Sequence, residues 1–134
     1  TYYLQAQLID LRSLYPSIGM GILSTMILNV NNMRDIENDA KSGKRTIAVR
    51  LGLAHAKVYH TALMVLMYAC FLTYSFMYAN TPLYRFAYVA VYAFQLILLT
   101  QIFKKEGRDL DPYLRKTALS AFLIGLVFSV CINI

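Results

Sequence analysis

Asn31, Asp35 and Asp39 are spaced by four along a polar block, and their types favour metal chemistry. On an α-helix, residues four apart lie on one face, about 6 Å from one another at each step. Two carboxylates and an amide oxygen are hard donors, and Mg²⁺ held by one or two carboxylates keeps positions for water and for substrate phosphate oxygens. The spacing therefore predicts a metal site on this face. Glu37 is expected to point elsewhere, towards solvent or a basic neighbour.

Cations follow these acids on a segment that contains two glycines, Gly43 and Gly52. The cations are Lys41, Lys44, Arg45 and Arg50. Arginine contacts two phosphate oxygens with its planar guanidinium, and lysine acts as a compact point charge. Acids and bases in one segment therefore predict that a metal and a phosphate bind together. Arg34, beside the acids, either contacts an anion or anchors the helix end at the lipid headgroups.

Two familiar ion-binding loops are excluded by counting positions. A calcium-binding EF-hand loop that began at Asp35 would need Gly at its sixth position and Glu at its twelfth, where this chain has Ala40 and Thr46. A phosphate-binding P-loop that used Lys44 would need Ser or Thr next, where the chain has Arg45. The polar block therefore needs another interpretation.

A charged loop without a function is the alternative, with acids that offset the cations and keep the loop soluble. Asn29, Asn31 and Asn32 count against this alternative because they end an otherwise apolar stretch. Uncharged polar groups in such a place cost free energy unless they face a cavity or a partner. Their position indicates a site.

The elements that must position this block are membrane helices. The 134 residues are 58% hydrophobic with a mean hydropathy of +0.49, more than a soluble domain carries. Apolar runs of about twenty residues recur, each long enough to cross a hydrocarbon core of roughly 30 Å. The sequence therefore predicts an all-α fold, a multi-span transmembrane helix bundle. The expected spans are at about residues 13–33, 59–79, 83–103 and 117–134.

Most of the cations fall in two segments, residues 34–57 and 104–116. Of the 13 Lys and Arg residues, only Arg12 and Arg85 lie elsewhere. Because four spans with a tight turn at residues 80–82 put both segments on one side of the membrane, the positive-inside rule predicts that this side is cytoplasmic. The net charge of +6 then reflects topology and attraction to anionic lipid headgroups, and it needs no nucleic acid to explain it.

Other polar and reactive residues are assigned no chemistry. Cys70 and Cys131 each lie alone in an apolar run, which favours reduced, buried thiols over a disulfide or a metal site. His55 and His60 are five residues apart, on different faces of a helix, which favours packing or loop hydrogen bonds over catalysis. Residues 104–112 have the Gly, Asp and Pro of a loop and are expected to be a solvated connection.

The run NNMRDIENDAKSGKRTIAVRLG at residues 31–52 resembles the second aspartate-rich motif of the UbiA-type intramembrane prenyltransferases. With TYYLQ at residues 1–5, it resembles the branch of that family whose acceptor is 1,4-dihydroxy-2-naphthoate. The resemblance is detailed over about the first 52 residues. It implies a bundle of nine transmembrane helices, in which residues 1–134 are one membrane-embedded unit at the C-terminal end, with an active-site loop at about residues 34–57.

The resemblance also implies an enzyme. In this family, Mg²⁺ ions bound by two acidic motifs hold the diphosphate of a polyprenyl donor, ionisation gives an allylic cation, and the aromatic acceptor attacks it. In the naphthoate branch, which serves menaquinone biosynthesis, the attack is coupled to loss of the acceptor's carboxylate. The implied location is the lipid bilayer of the bacterial inner (plasma) membrane, with the active-site loops in the cytoplasm.

The resemblance assigns roles by position. Asp35 and Asp39 are implied to be metal ligands, and Asn31 stands where many relatives carry a further Asp, as an auxiliary ligand or a hydrogen-bonding group. Lys44 is implied to be catalytic together with the two aspartates. The cations implied to stabilise the leaving diphosphate are Arg34, Lys41, Lys44, Arg45 and Arg50. Because the family's first acidic motif is not among residues 1–134, we expect the chain to need the N-terminal half of its parent protein and to be inactive alone.

Two other hypotheses stay open. In the first, the acceptor is a different aromatic compound, such as 4-hydroxybenzoate, homogentisate or a haem precursor. In the second, the chain is a non-catalytic transport or assembly module whose basic loops dock on anionic lipid. Such a module would be indifferent to Asp→Asn changes at Asp35 and Asp39, which the enzyme would not tolerate.

Overall fold

The computed structural model describes residues 10–78 and 83–133, together with the single positions Leu4 and Gln7. Within these residues the chain is helical and contains no strand, which confirms the predicted all-α class. The α-helices are α1 (Leu14–Arg34), α2 (Ile36–Lys41), α3 (Ile47–Leu51), α4 (Leu53–Tyr78), α5 (Ala90–Phe103) and α6 (Asp111–Asn133). Short 3-10 helices cover Leu11–Ser13, Leu83–Val89 and Gly107–Leu110.

Among the described residues, four helical stretches are long and apolar enough to cross a membrane. They are Leu11–Arg34, Leu53–Met77, Phe86–Phe103 and Gly107–Cys131. The four spans expected from hydropathy fall within the helices at these places wherever the structure describes them. The tight turn expected at residues 80–82 and the span ends at 79 and 134 lie outside the described residues.

The two polar connections hold more structure than a solvated loop. The segment 34–57 contains α2, α3 and the first residues of α4. The Thr46 side chain caps α3 by accepting a hydrogen bond from the Val49 N–H at 3.3 Å, as Thr does at helix N-termini. In the other connection, most residues are exposed, as expected for a solvated segment, and Leu110 is the exception because its side chain is fully buried. The Leu110 side chain packs into the bundle and so attaches this connection to it.

An aromatic cluster fills the centre of the bundle. The Phe71 ring of α4 lies 4.5 Å from the Phe128 ring of α6 and 6.0 Å from the ring of Tyr88, measured between centroids. Tyr88 also accepts or donates a buried hydrogen bond with Ser75 of α4, with 3.0 Å between the two oxygens. These contacts join α4 to α6 and to the 3-10 helix before α5.

Gly19 of α1 lies against this aromatic cluster. A Cβ atom placed on Gly19 would stand 2.6 Å from Cε1 of Phe71, whose side chain is completely buried. Gly125 of α6 meets only the flexible end of Met20, whose Cε would be 2.9 Å away. The small residue at position 19 therefore allows α1 and α4 to approach closely, as small residues do in membrane bundles.

A second apolar cluster lies where the helices reach the polar segments. Its fully buried members are Val30, Met33, Ala48, Ala56, Ile102 and Leu110. Beside it, the Asn29 amide donates a hydrogen bond to the Ala56 carbonyl at 3.0 Å, so this asparagine joins α1 to α4. The Lys57 ammonium donates to the carbonyl of Phe103 at 3.0 Å, at the helix end where a cation is favoured. The polar segments are thus attached to the helices by this apolar cluster and by these two hydrogen bonds.

Replacing Gly19 by Ala is expected to destabilise the protein by about 1–3 kcal/mol, because the new methyl group overlaps an aromatic ring that has no room to move. The matched control is Gly125→Ala, where the methionine end can give way. Thermal unfolding of the two variants in the same detergent measures the difference. Equal melting temperatures for Gly19→Ala and Gly125→Ala would contradict the close approach of α1 and α4.

Candidate active site

The acid ladder spans the junction between α1 and α2. The Asp35 N–H donates to the Asn31 carbonyl at 3.1 Å, and the Asp39 N–H donates to the Asp35 carbonyl at 2.8 Å. Each step therefore keeps the spacing of one helical turn. The helix does not continue unbroken, as the ladder interpretation assumed, because α1 ends at Arg34 and Asp35 has φ −97° and ψ 10°. The three residues remain successive steps of one ladder across this break.

Arg34 holds both carboxylate oxygens of Asp35. Its Nε lies 2.9 Å from Oδ1 and its Nη2 lies 2.6 Å from Oδ2. Its Nη1 donates to Oδ1 of Asp111, the first residue of α6, at 3.1 Å. One guanidinium therefore joins the end of α1 to the start of α6, in the fork geometry that Arg forms with carboxylates.

The Arg34 hydrogen bonds are the largest cause that holds the pKa of the Asp35 carboxyl below its usual range. Burial opposes this shift, and the charges of Arg34 and Lys44 add to it. The ion pair therefore stabilises the fold at neutral pH, and this contribution is lost as the pH falls through the lowered pKa of Asp35. Since both side chains are partly exposed, the contribution is about 0.2–1 kcal/mol.

Asp39 is buried and pairs with Lys44. The Lys44 Nζ lies 3.2 Å from Oδ1 of Asp39, and the Lys44 N–H donates to the Asp39 carbonyl at 2.9 Å. Gly43 makes this reversal of the chain possible, because its φ of 75° is one that other L-residues rarely adopt. The Lys44 side chain is 66% exposed and can reorient, but the Asp39 carboxylate is 7% exposed and would then need another cation.

A cavity of about 530 Å³ opens beside Asp35. Its lining residues are Arg34, Asp35, Ile36, Glu37, Asn38, Lys41, Leu53, Glu106, Gly107 and Arg108. The lining thus carries three cations and three carboxylates. Such a lining suits an anion that binds together with a metal ion, because the cations can contact the anion while the carboxylates contact the metal ion.

The predicted site residues divide into two groups in this structure. Arg34, Asp35 and Lys41 lie at the cavity. The others do not line it: Asn31, Asp39, Lys44, Arg45 and Arg50. Glu37 also lines the cavity, where it is exposed and shares the lining with cations, in keeping with the expectation that it faces solvent or a basic neighbour.

Glu106 and Arg108 were missed by sequence reasoning and line the same cavity. They come from the connection between α5 and α6, about seventy residues along the chain from Asp35. The charged residues of this connection, and its expected position on the same side of the membrane as the acid ladder, could have predicted a role in the site. Its Gly, Asp and Pro residues favoured a solvated loop instead.

The donors of the ladder can be compared with what Mg²⁺ requires of a protein. Within the described part of the chain, no group of three or more His, Cys, Asp and Glu residues is close enough to hold a metal ion. Asp35 and Asp39 are one helical turn apart along the backbone, and each carboxylate pairs with a cation, but only Asp35 lines the cavity. Mg²⁺ needs only one or two protein carboxylates and takes its other ligands from water and phosphate, so the cavity-lining Asp35 satisfies the lower of these requirements.

The remaining reactive side chains lie apart from this chemistry. Cys70 and Cys131 are buried and free. His55 Nδ1 lies 3.2 Å from the Leu51 carbonyl, one turn earlier, and His60 is buried within α4. These placements agree with the packing roles expected for them.

Comparison with known proteins decides the family. Residues 1–124 match the UbiA prenyltransferase family. The chain belongs to this family. Together with the four helices of the described part of the chain that are long and apolar enough to span a membrane, this membership indicates an integral membrane protein. No solved structure is significantly similar to it.

Several curated relatives of this UbiA-family chain are named 1,4-dihydroxy-2-naphthoate octaprenyltransferase. The Haemophilus influenzae protein is 39% identical over 132 residues, which cover 96% of the chain and 42% of the relative. The Escherichia coli protein is 29% identical over 137 residues, with the same shares covered. The Mycobacterium leprae protein is 37% identical over 123 residues, which cover 90% of the chain and 40% of the relative. The chain therefore spans less than half the length of these proteins.

Replacing Gly43 by Ala in this UbiA-family chain is expected to cost about 1–2 kcal/mol, because a Cβ atom is strained at this positive φ. The turn that holds Lys44 on Asp39 should then open more often, and amide exchange in residues 39–46 should be about 5–30 times faster. Hydrogen exchange followed by mass spectrometry measures this rate. Gly43→Asn is the matched control, since Asn tolerates the left-handed region, and its effect should be smaller. Unchanged exchange in Gly43→Ala would contradict this role of the glycine.

Proposed function

We propose that the protein containing this chain transfers a polyprenyl group from polyprenyl diphosphate to 1,4-dihydroxy-2-naphthoate, with loss of the acceptor's carboxylate, in menaquinone biosynthesis. The observation that carries the proposal is the acid ladder at the end of a membrane helix, beside a cavity of balanced charge. The names of the relatives support the choice of donor class and acceptor.

The ladder would hold Mg²⁺ through Asp35 and Asp39, with Asn31 as an auxiliary ligand one turn earlier. When bound, Mg²⁺ supplies positive charge that polarises the diphosphate oxygens and favours departure of the diphosphate. Arg34 orients the Asp35 carboxylate and keeps it ionised, so a metal need not displace a proton from it. This pair prepares the site before any ligand arrives.

The cations that follow the ladder would bind the diphosphate as negative charge develops on it. Lys41 already lies at the cavity. Lys44 is exposed enough to exchange Asp39 for a phosphate oxygen, and we assign it the catalytic role of stabilising the leaving group. Arg45 and Arg50 are exposed on the turn and on α3, and would reach the diphosphate from outside the cavity.

We also propose that the candidate site faces the cytoplasm, in the inner membrane of a bacterial cell. The two cation-rich segments meet through the ion pair of Arg34 with Asp111 and the hydrogen bond of Lys57 to Phe103. They therefore share one end of the bundle, which the positive-inside rule assigns to the cytoplasm. The bilayer is then the partner of the apolar helix faces.

Asp35→Asn and Asp39→Asn are expected to lower the transfer rate by about a hundredfold or more, because each change removes a charge that holds the metal and the diphosphate. The assay is transfer of a labelled polyprenyl group to 1,4-dihydroxy-2-naphthoate by the full-length protein in membranes with Mg²⁺, normalised to the amount of folded protein. Asp109→Asn is the matched control, since Asp109 lies outside the cavity lining and faces solvent beside Lys105.

Wild-type transfer by both ladder variants would overturn the proposed function. Residues 1–134 alone are expected to show no transfer in the same assay, because the second acidic motif of the family is expected to act only together with the first.

A further inference from the structure

The connection between α5 and α6 forms one wall of the cavity beside Asp35. Glu106, Gly107 and Arg108 line the cavity together with residues that end α1 and form α2. The family resemblance assigned no role to these residues. Their position at the cavity allows them to contact whatever binds beside Asp35.

Three contacts fix this wall in place. Leu110 is fully buried in the second apolar cluster. Lys57 donates to the carbonyl of Phe103, the last residue of α5, at 3.0 Å. Asp111 accepts from Arg34 at 3.1 Å. Because both ends of the connection are attached to α1 and α4, the wall keeps its position relative to the acid ladder.

Arg108 is the guanidinium on this wall, and its N–H groups are not engaged by any ion pair in the described residues. Asp109 faces Lys105 at 3.8 Å and Asp111 faces Arg34, so neither of these carboxylates pairs with Arg108. Arg34, the other guanidinium of the cavity, already serves two carboxylates.

We infer that Arg108 binds the phosphate groups of the ligand that enters this cavity. A planar guanidinium offers paired donors that match two oxygens of one phosphate. With Lys41 on the wall formed by α2, it would hold the anion from two sides while Asp35 holds the metal on it. This inference deepens the proposed function and rests on it. It makes the connection between α5 and α6 part of the substrate site.

A lipid headgroup presents the same phosphate chemistry, since the connection lies at the end of membrane helices. The two sources differ in their need for Mg²⁺ and in their response to free pyrophosphate. The test therefore uses inorganic pyrophosphate with Mg²⁺ as the probe. The full-length protein is placed in bilayer discs of phosphatidylcholine alone and in discs that also contain phosphatidylglycerol.

Arg108→Gln is expected to weaken Mg²⁺-dependent pyrophosphate binding by about tenfold or more in both kinds of disc, as measured by titration calorimetry. Arg115→Gln is the matched control, because Arg115 carries the same charge in the first turns of α6 but lies outside the cavity lining. Its affinity should stay within about twofold of the wild type. Wild-type affinity in Arg108→Gln, or a loss seen only in discs with phosphatidylglycerol, would overturn the inference.

Asp35→Asn separates this inference from the proposed function in the same titration. If Asp35→Asn loses pyrophosphate binding and Arg108→Gln keeps it, only the role of Arg108 fails. If Asp35→Asn also binds normally, the proposed metal site fails as well. Should Arg108→Gln not fold, Arg108→Lys decides, since one ammonium cannot replace a two-point contact. A loss of affinity of about threefold or more in Arg108→Lys supports the inference, and wild-type affinity overturns it.

Discussion

The ion pairs of Arg34 hold the end of α1 against the start of α6, and the candidate site depends on this junction. The Arg34 guanidinium binds both carboxylate oxygens of Asp35 and one of Asp111, which lies 77 residues after Arg34 in the chain. Without this cation, an aspartate at the end of a membrane helix would carry an uncompensated charge in a partly buried place. With it, the carboxylate stays ionised and its position is fixed before a metal or a phosphate binds.

The membrane part of the bundle sets where this junction can form. Gln95 of α5 donates a buried hydrogen bond to Ser120 of α6 at 3.2 Å, and Ser75 of α4 pairs with Tyr88. Polar contacts of this kind fix the relative position of helices in a lipid environment, where apolar side chains alone gain little by meeting each other. They keep the connection between α5 and α6 beside the acid ladder.

Much of this arrangement was visible in the sequence because it is local. Hydropathy predicted four spanning helices, and the spacing of Asn31, Asp35 and Asp39 predicted steps of one turn. The break at Asp35 was not predicted, since it accompanies a side-chain ion pair that no pattern encodes. The wall that contains Arg108 was also missed, because only the tertiary burial of Leu110 brings a loop-like segment to the cavity.

The most direct test of a metal held by the ladder uses Fe²⁺ in place of Mg²⁺ in the full-length protein with pyrophosphate. Peroxide oxidises the bound Fe²⁺ to Fe³⁺ and releases hydroxyl radicals that cut the backbone near the metal, and ascorbate reduces the Fe³⁺ again. Mass spectrometry locates the cuts. Cuts are expected within residues 34–41 and 106–108, where excess Mg²⁺ should suppress them and replacement of both Asp35 and Asp39 by Asn should abolish them. Cuts confined to other segments, or unchanged in the double variant, would contradict a metal held by the ladder.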